Sequence, residues 1–388
     1  MREFSGSDND ACEMTDNDRI IQFVDAATSD LQKAEELLGA HPELTGGGFH
    51  VWLVLGDSLA VAKDLSAYPE LATAPGGHSK CVPLVYTCFS RYGSAASGRS
   101  SGIVETARVL LRHGADPNAA FTPEDLPDNP LSCLYAATGM NNNPELARVL
   151  LEAGAKPNDG ESLYHSTEHA DFACLKLLLQ YGATPQANEL KHMLDREERN
   201  GLQLLLDAGA DPNLPNERGE TALHWAVWRG RSAASVQTLL DRGAAIDAKR
   251  HDGRTAYALA ILGGQSEIAM LLERCGASTE MPPLNTPGSE RLLPDLTQSH
   301  RTEAVRELLA AGIPVDTRGE AGGTALHWAC WKGYADIAEL LLERGASTAI
   351  EDTMFHATAA GWYEHGKENC GEGDYEAVAQ VLKQWAVL

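Results

Sequence analysis

Four side chains in the middle of this 388-residue sequence could move protons: His165, Glu168, His192 and Asp195. The histidine and the acid of each pair are three positions apart, and the two pairs repeat 27 residues apart. Residues i and i+3 share a helix face, so each pair sets an imidazole beside a carboxylate. That arrangement suits general acid–base work, and it equally suits hydrogen bonding between neighbouring helices. A metal would need donor atoms within about 2.0–2.2 Å of one ion. Side chains would then have to converge between helices roughly 8–10 Å apart, which nothing in the spacing forces. The structural reading is preferred, and no metal or cofactor is expected.

Two short motifs imitate serine nucleophiles. Gly56-Asp57-Ser58-Leu59 copies the nucleophile block of GDSL esterases, whose chemistry needs a downstream Asp-x-x-His to deprotonate the serine. No histidine here has an aspartate three positions before it. Gly98-Arg99-Ser100-Ser101-Gly102 fits G-x-S-x-G, but it lies in a Gly/Ser-rich stretch rather than between a strand and a helix. Both read as turns or loops. The Asp-rich stretch 8–18 lacks the glycine and terminal glutamate of a calcium loop. HExxH, Walker and GxGxxG signatures are absent, as is any Cys-x-x-Cys. The sequence therefore leans away from an enzyme.

The elements that carry these residues are set by a repeat. Gly-Ala after a double leucine occurs at Gly114 and Gly154, and its glycine recurs at 182, 209, 243, 276, 312 and 345. Within a unit, Thr221 and Thr324 can cap a helix. Gly230, Gly264 and Gly333 permit its left-handed stop, and an apolar second helix such as 337–342 follows. The formal net charge is −24, which disfavours nucleic acid and anionic membranes and favours a partner with a basic patch. Eight scattered cysteines and the absence of an apolar run of about 18 residues point to a reducing cytoplasm and no membrane span.

GETALHWAVWRG (219–230), GGTALHWACWKG (322–333) and GADPN (114–118, 209–213) resemble ankyrin repeats. The middle units, with DGESLYHSTEH (159–169) and KHMLDRE (191–197), also resemble a group of bacterial ankyrin proteins without an established activity. The resemblance implies an all-α solenoid of ten or eleven helix-turn-helix units, since one helix pair cannot bury both its faces. The expected boundaries are an acidic disordered tail over 1–16 and one solenoid over 17–388. Within the latter, 17–78 is divergent, 79–352 recognisable and 353–388 an irregular last unit. Terminal caps are expected around 19–38 and 375–388.

The resemblance gives His224 and His327 a role in bonding backbone between adjacent turns. Trp225 and Trp328 are expected in the core. Trp228 and Trp331, followed by Arg229 and Lys332, fall where ankyrin repeats face a partner. Aligned from the helix-opening threonine, Phe89, Glu168, Asp195, Leu262 and His365 take the same place, with Gln298 in a unit that aligns less clearly. The favoured function is a protein-binding scaffold, monomeric and cytoplasmic, gripping its partner in an aromatic, acidic concave groove. Inhibition of a basic toxin is one subtype of it. The alternative is a small-molecule or catalytic site where His165, Glu168, His192 and Asp195 adjoin Trp228 and Arg229. Self-association through the groove is a third reading.

Overall fold

The computed structural model describes residues 15–123, 127–284, 291–371, 373–385 and 387. Most of the expected acidic tail, residues 1–14, lies outside them. The first helix, Asp16–Ser29, opens under a Thr15 cap whose hydroxyl accepts the Asp18 N–H. Among the described residues the helices follow one another as eleven pairs, ending with Ala359–Asn369 and Tyr375–Gln384. The described residues are helical apart from loops, a two-residue antiparallel ladder, Ala120–Phe121 against Leu131–Ser132, and two isolated bridges, Gly76 with Cys81 and Arg318 with Thr324. No described helix is long and apolar enough to cross a membrane.

The chain divides into two compact units, residues 1–189 with 207–210 and residues 190–206 with 211–388. Within the first, the leading helices of successive pairs lie side by side, as Phe49–Leu55 does with Pro83–Phe89. The trailing helices Ser58–Ala67, Ser100–Arg112 and Pro144–Glu152 form a parallel row. The divergent N-terminal stretch thus has the same helix-pair form, although Gly39-Ala40 follows Leu37-Leu38 directly and no Gly-Ala follows the helix Ser58–Ala67. Asp30 and Asp57 cap its trailing helices, accepting the Lys33 and Ala60 N–H at 3.1 and 3.0 Å.

The two nucleophile-like motifs explain one another here. Gly56, at φ +73°, closes the helix Phe49–Leu55. A β-carbon on it would lie 2.5 Å from the Ile103 nitrogen, and one on Gly102 would lie 2.5 Å from the Gly56 carbonyl oxygen. Gly56 and Gly102, one glycine from each motif, are therefore the contact between two neighbouring pairs. Ser100–Gly102 is the first turn of a helix rather than the expected loop.

In the second unit the Thr-Ala-Leu-His segments lock each pair to the next. His224 Nδ1 accepts the Thr221 N–H at 3.2 Å and lies 2.9 Å from its hydroxyl. Nε2 then carries the proton and donates to the Arg254 carbonyl at 3.3 Å. His327 repeats this with Thr324 at 3.1 Å and the Ala357 carbonyl at 3.2 Å. Burial pulls both imidazoles below the usual value of 6.5, because a charged ring would lose water and the Nδ1 acceptor together.

The same loops bury an ion network. Arg250 reaches Glu220 at 2.9 Å and Asp252 at 3.3 Å, and Arg254 reaches Asp252 at 3.2 Å. The Arg254 side chain is wholly buried and also donates to the Pro283 carbonyl at 3.2 Å.

Two outcomes are expected. Both histidines are protonated more readily in the unfolded chain, so their stabilisation is full above pH 6.5 and declines as pH falls below it. The slope is at most about 1.4 kcal/mol per pH unit for each ring. The melting temperature should fall between pH 7 and 5.5, and fall less in a His224→Gln/His327→Gln variant. In urea denaturation, Asp252→Ala should cost about 3–5 kcal/mol, because it removes the carboxylate shared by two buried guanidiniums and leaves them facing each other with only Glu220 and the Pro283 carbonyl as partners. Arg306→Ala, which breaks an exposed pair with Glu303, should cost less than about 1 kcal/mol.

Candidate functional site

The leading helices Ala222–Trp228, Ala256–Leu262, Leu292–Gln298 and Ala325–Lys332 of the second unit are short because a left-handed residue stops each of them. Gly230, Gly264 and Gly333 do so at φ +65°, +63° and +71°, and in the less regular repeat near Gln298 the stop is His300 at +53°. The residue after each stop donates its N–H five positions back, as Arg231 does to Ala226, Gln265 to Ala260, Arg301 to Leu296 and Tyr334 to Ala329. This backbone match fixes which side chains are equivalent along the row of helix ends.

At that row the structure builds a cation–aromatic cluster. The Trp225 ring lies beneath Arg229, its guanidinium carbon 4.6 Å from the ring centre, and Lys191 Nζ approaches the same ring at 5.4 Å. Trp225 Nε1 donates to Asp195 Oδ1 at 3.0 Å, and Arg229 Nε pairs with the same oxygen at 3.2 Å. The expectation that Trp225 is a core residue is corrected: it is half-buried, with its ring held between charged groups. Next to it, Glu197 accepts from Ser232 and from Ser235 at 2.7 Å. Burial opposes its charge, but these donors outweigh burial and hold the carboxyl below the usual range.

Trp228 is half-buried and lines a cleft of about 210 Å³ with Arg229, Gln265 and Arg301. Trp331, also half-buried, lies 5.1 Å from the exposed His365 ring and 5.8 Å from Trp362, centre to centre. Lys332 Nζ sits 3.8 Å from Cys370 Sγ. Trp328 is half-buried rather than enclosed and meets Trp362 edge to face at 4.9 Å. Trp362 was missed by the sequence reading, although it follows Thr358 by four positions as Trp225 follows Thr221 and Trp328 follows Thr324. Its Nε1 donates to Asp352 at 2.9 Å. Burial raises the Asp352 pKa, but that bond and the Phe355, Ala357 and Met354 N–H groups drive it far below the ordinary value.

The remaining sequence candidates are placed differently. Phe89 is 7 % exposed and packs on Phe121 at 5.9 Å, so it is a buried contact and not an open groove aromatic. Leu262 is 8 % exposed, whereas the preceding Ile261 is 44 % exposed. Gln298 and His192 are half-buried. His165 lies between two acids, with Nε2 3.2 Å from Glu161 and Nδ1 3.1 Å from Glu168. Glu168 and Asp195 are therefore both engaged, the first by an imidazole and the second by an indole and a guanidinium. Among the described residues no three His, Cys, Asp or Glu side chains are grouped to hold a metal ion.

Residues 193–281 and 296–352 match the family model for ankyrin repeats in three copies. Over these segments the chain is similar to ankyrin repeats. The matched region contains the Trp225, Trp228 and Trp331 positions. Among curated proteins, human ankyrin repeat and SOCS box protein 16 is 29 % identical over 262 residues, 66 % of this chain and 51 % of that protein. Human ankyrin repeat and SOCS box protein 6 is 29 % identical over 271 residues, 64 % of this chain and 56 % of its own length. Human Rabankyrin-5 is 28 % identical over 187 residues, covering 42 % and 16 %. The chain spans about half the length of the first two relatives.

The Asp195–Arg229 pair is partly open to solvent on both sides. A double-mutant cycle of Asp195→Ala and Arg229→Ala should give a coupling of about 0.5–1 kcal/mol, reduced in 1 M NaCl. A coupling above about 3 kcal/mol would mean the pair is shielded in solution.

Proposed function

We propose that the chain is a protein-interaction scaffold whose partner docks on the helix-end row of the second unit. The residues we assign to it are Trp225, Trp228, Arg229, Trp331, Lys332 and His365. The observation that carries this reading is the held state of the aromatic face. Arg229, Lys191 and Asp195 fix the Trp225 ring before any partner arrives, and Trp228 lines a cleft beside it. Rings fixed in advance lose little side-chain freedom on binding, which favours them as anchors. Ankyrin repeats and the curated relatives support a protein partner over a small molecule. The engagement of His165, Glu168 and Asp195 in fixed pairs takes support from the acid–base alternative. The net charge of −24 and the resemblance to bacterial ankyrin proteins favour a partner whose surface is basic overall, met by a monomer in a reducing cytoplasm.

The test is retention of a partner from native lysate by the wild type and by folded Trp228→Ala/Trp331→Ala protein. A buried aromatic anchor contributes about 2 kcal/mol or more, so each substitution should weaken binding about 30-fold. Equal retention of the same protein by both would refute this assignment.

A further inference from the structure

Arg301 differs from its equivalents. At two of its three equivalents the residue after the left-handed stop reaches back to carbonyls of the preceding leading helix, and the third, Tyr334, stacks on the His300 ring at 3.9 Å. Arg231 donates to the Leu194 and Asp195 carbonyls at 3.4 and 3.2 Å, and Gln265 donates to the Val227 carbonyl at 2.7 Å. Arg301 has the same backbone bond but no hydrogen-bond or ion-pair partner among the described residues, and its Nε is shielded from solvent.

The cause is local. Between the pair Ala256–Leu262/Ser266–Arg274 and the pair Leu292–Gln298/Thr302–Ala310 the stack is opened by a recess of about 550 Å³. Ile261, Leu262, Met281, Pro282 and Leu284 line it, with Arg301 at its border. The family match is interrupted at the same place, between residues 281 and 296. Arg301 also borders the smaller Trp228 cleft. There Gln265 Oε1 is buried without a partner, and Arg229 is already paired with Asp195. The ends of three leading helices meet at this cleft and bring Arg229 and Arg301 to it. They leave the Arg301 donors unused.

We propose that Arg301 takes a carboxylate side chain of the partner in the Trp228 cleft, while the adjoining apolar residue of that segment enters the larger recess. This rests on the scaffold reading above and names the chemistry of one contact within it. A guanidinium without partners beside an indole is matched by a carboxylate, which also removes the cost of its shielded N–H. The carboxylate belongs on the Trp228 side, because Glu303 and Glu307 line the other recess. Two recesses sharing one arginine fit neighbouring side chains of a passing segment, whereas a chain terminus would leave one of them unfilled. The contact is a local exception to a chain that is acidic overall.

The probes are synthetic hexapeptides with blocked ends and a central Glu-Phe, compared with a Gln-Phe control and a peptide ending in Phe with a free C-terminal carboxylate. The readout is the ¹⁵N–¹H signal of the Trp228 indole in the full chain, assigned by its loss in Trp228→Phe. The expected result is a saturable shift with Glu-Phe, at least ten-fold weaker binding of Gln-Phe, and loss of that preference in Arg301→Gln. Equal affinities for Glu-Phe and Gln-Phe, or a preference that survives Arg301→Gln, would overturn the proposal. Tightest binding by the free C-terminus would overturn its side-chain form. If the lysate partner is lost in Trp228→Ala/Trp331→Ala but kept at full affinity by Arg301→Gln, the scaffold reading stands and the carboxylate contact falls.

Discussion

A seven-residue helix such as Ala222–Trp228 is two turns long and has no stability of its own, so its existence depends on the neighbours it packs against. Everything else in the second unit follows from how that dependence is met. Leu223, Ala226 and Val227 are buried against adjoining helices. The His224 ring closes its own first turn on one side and holds the next loop on the other. One side chain thereby satisfies an orphan N–H and fixes the register between pairs. The buried Arg250, Arg254, Glu220 and Asp252 network fixes the loops in the same interval.

The requirement for short leading helices also creates the candidate face. Stopping the helices from Ala222–Trp228 to Ala325–Lys332 after about two turns aligns their ends in a row, and the residues just before and after each stop become its surface. Side chains there have two competing duties. Arg231 and Gln265 spend their donors on carbonyls of the preceding helix and so serve the stack. Arg229 and Arg301 do not, the first turning to an indole and a carboxylate and the second to an opened junction. Stability and binding thus draw on equivalent positions, and the local spacing between pairs decides which duty prevails.

The architecture was legible in the sequence because threonine, glycine and the double leucine mark where each helix starts, stops and buries itself. The helix pairs at 16–40 and 49–67 were less legible, because aspartates cap their second helices, Gly39-Ala40 follows Leu37-Leu38 without the usual gap, and no Gly-Ala follows Ser58–Ala67. For the face, counting from the threonine put Trp228, Arg229 and Trp331 at helix ends, and the structure has them there, whereas His365 lies inside the longer helix Ala359–Asn369. It misjudged Trp225, since no count along one helix says that Lys191 and Asp195 from another will flank the ring. It misjudged Phe89 for a similar reason, because Phe121 covers it from the two-residue ladder. Arg301 was invisible because its significance lies in contacts it does not make.

The central claim is that partners meet the helix-end row and not the trailing helices. A photo-crosslinking amino acid placed in turn at Trp228, Trp331 and Met270 tests this directly, Met270 being 57 % exposed on the trailing helix Ser266–Arg274. Irradiation in native lysate should give an adduct of one mass from the first two positions and none from the third. An adduct of equal yield at Met270, or at Met270 alone, would contradict the account.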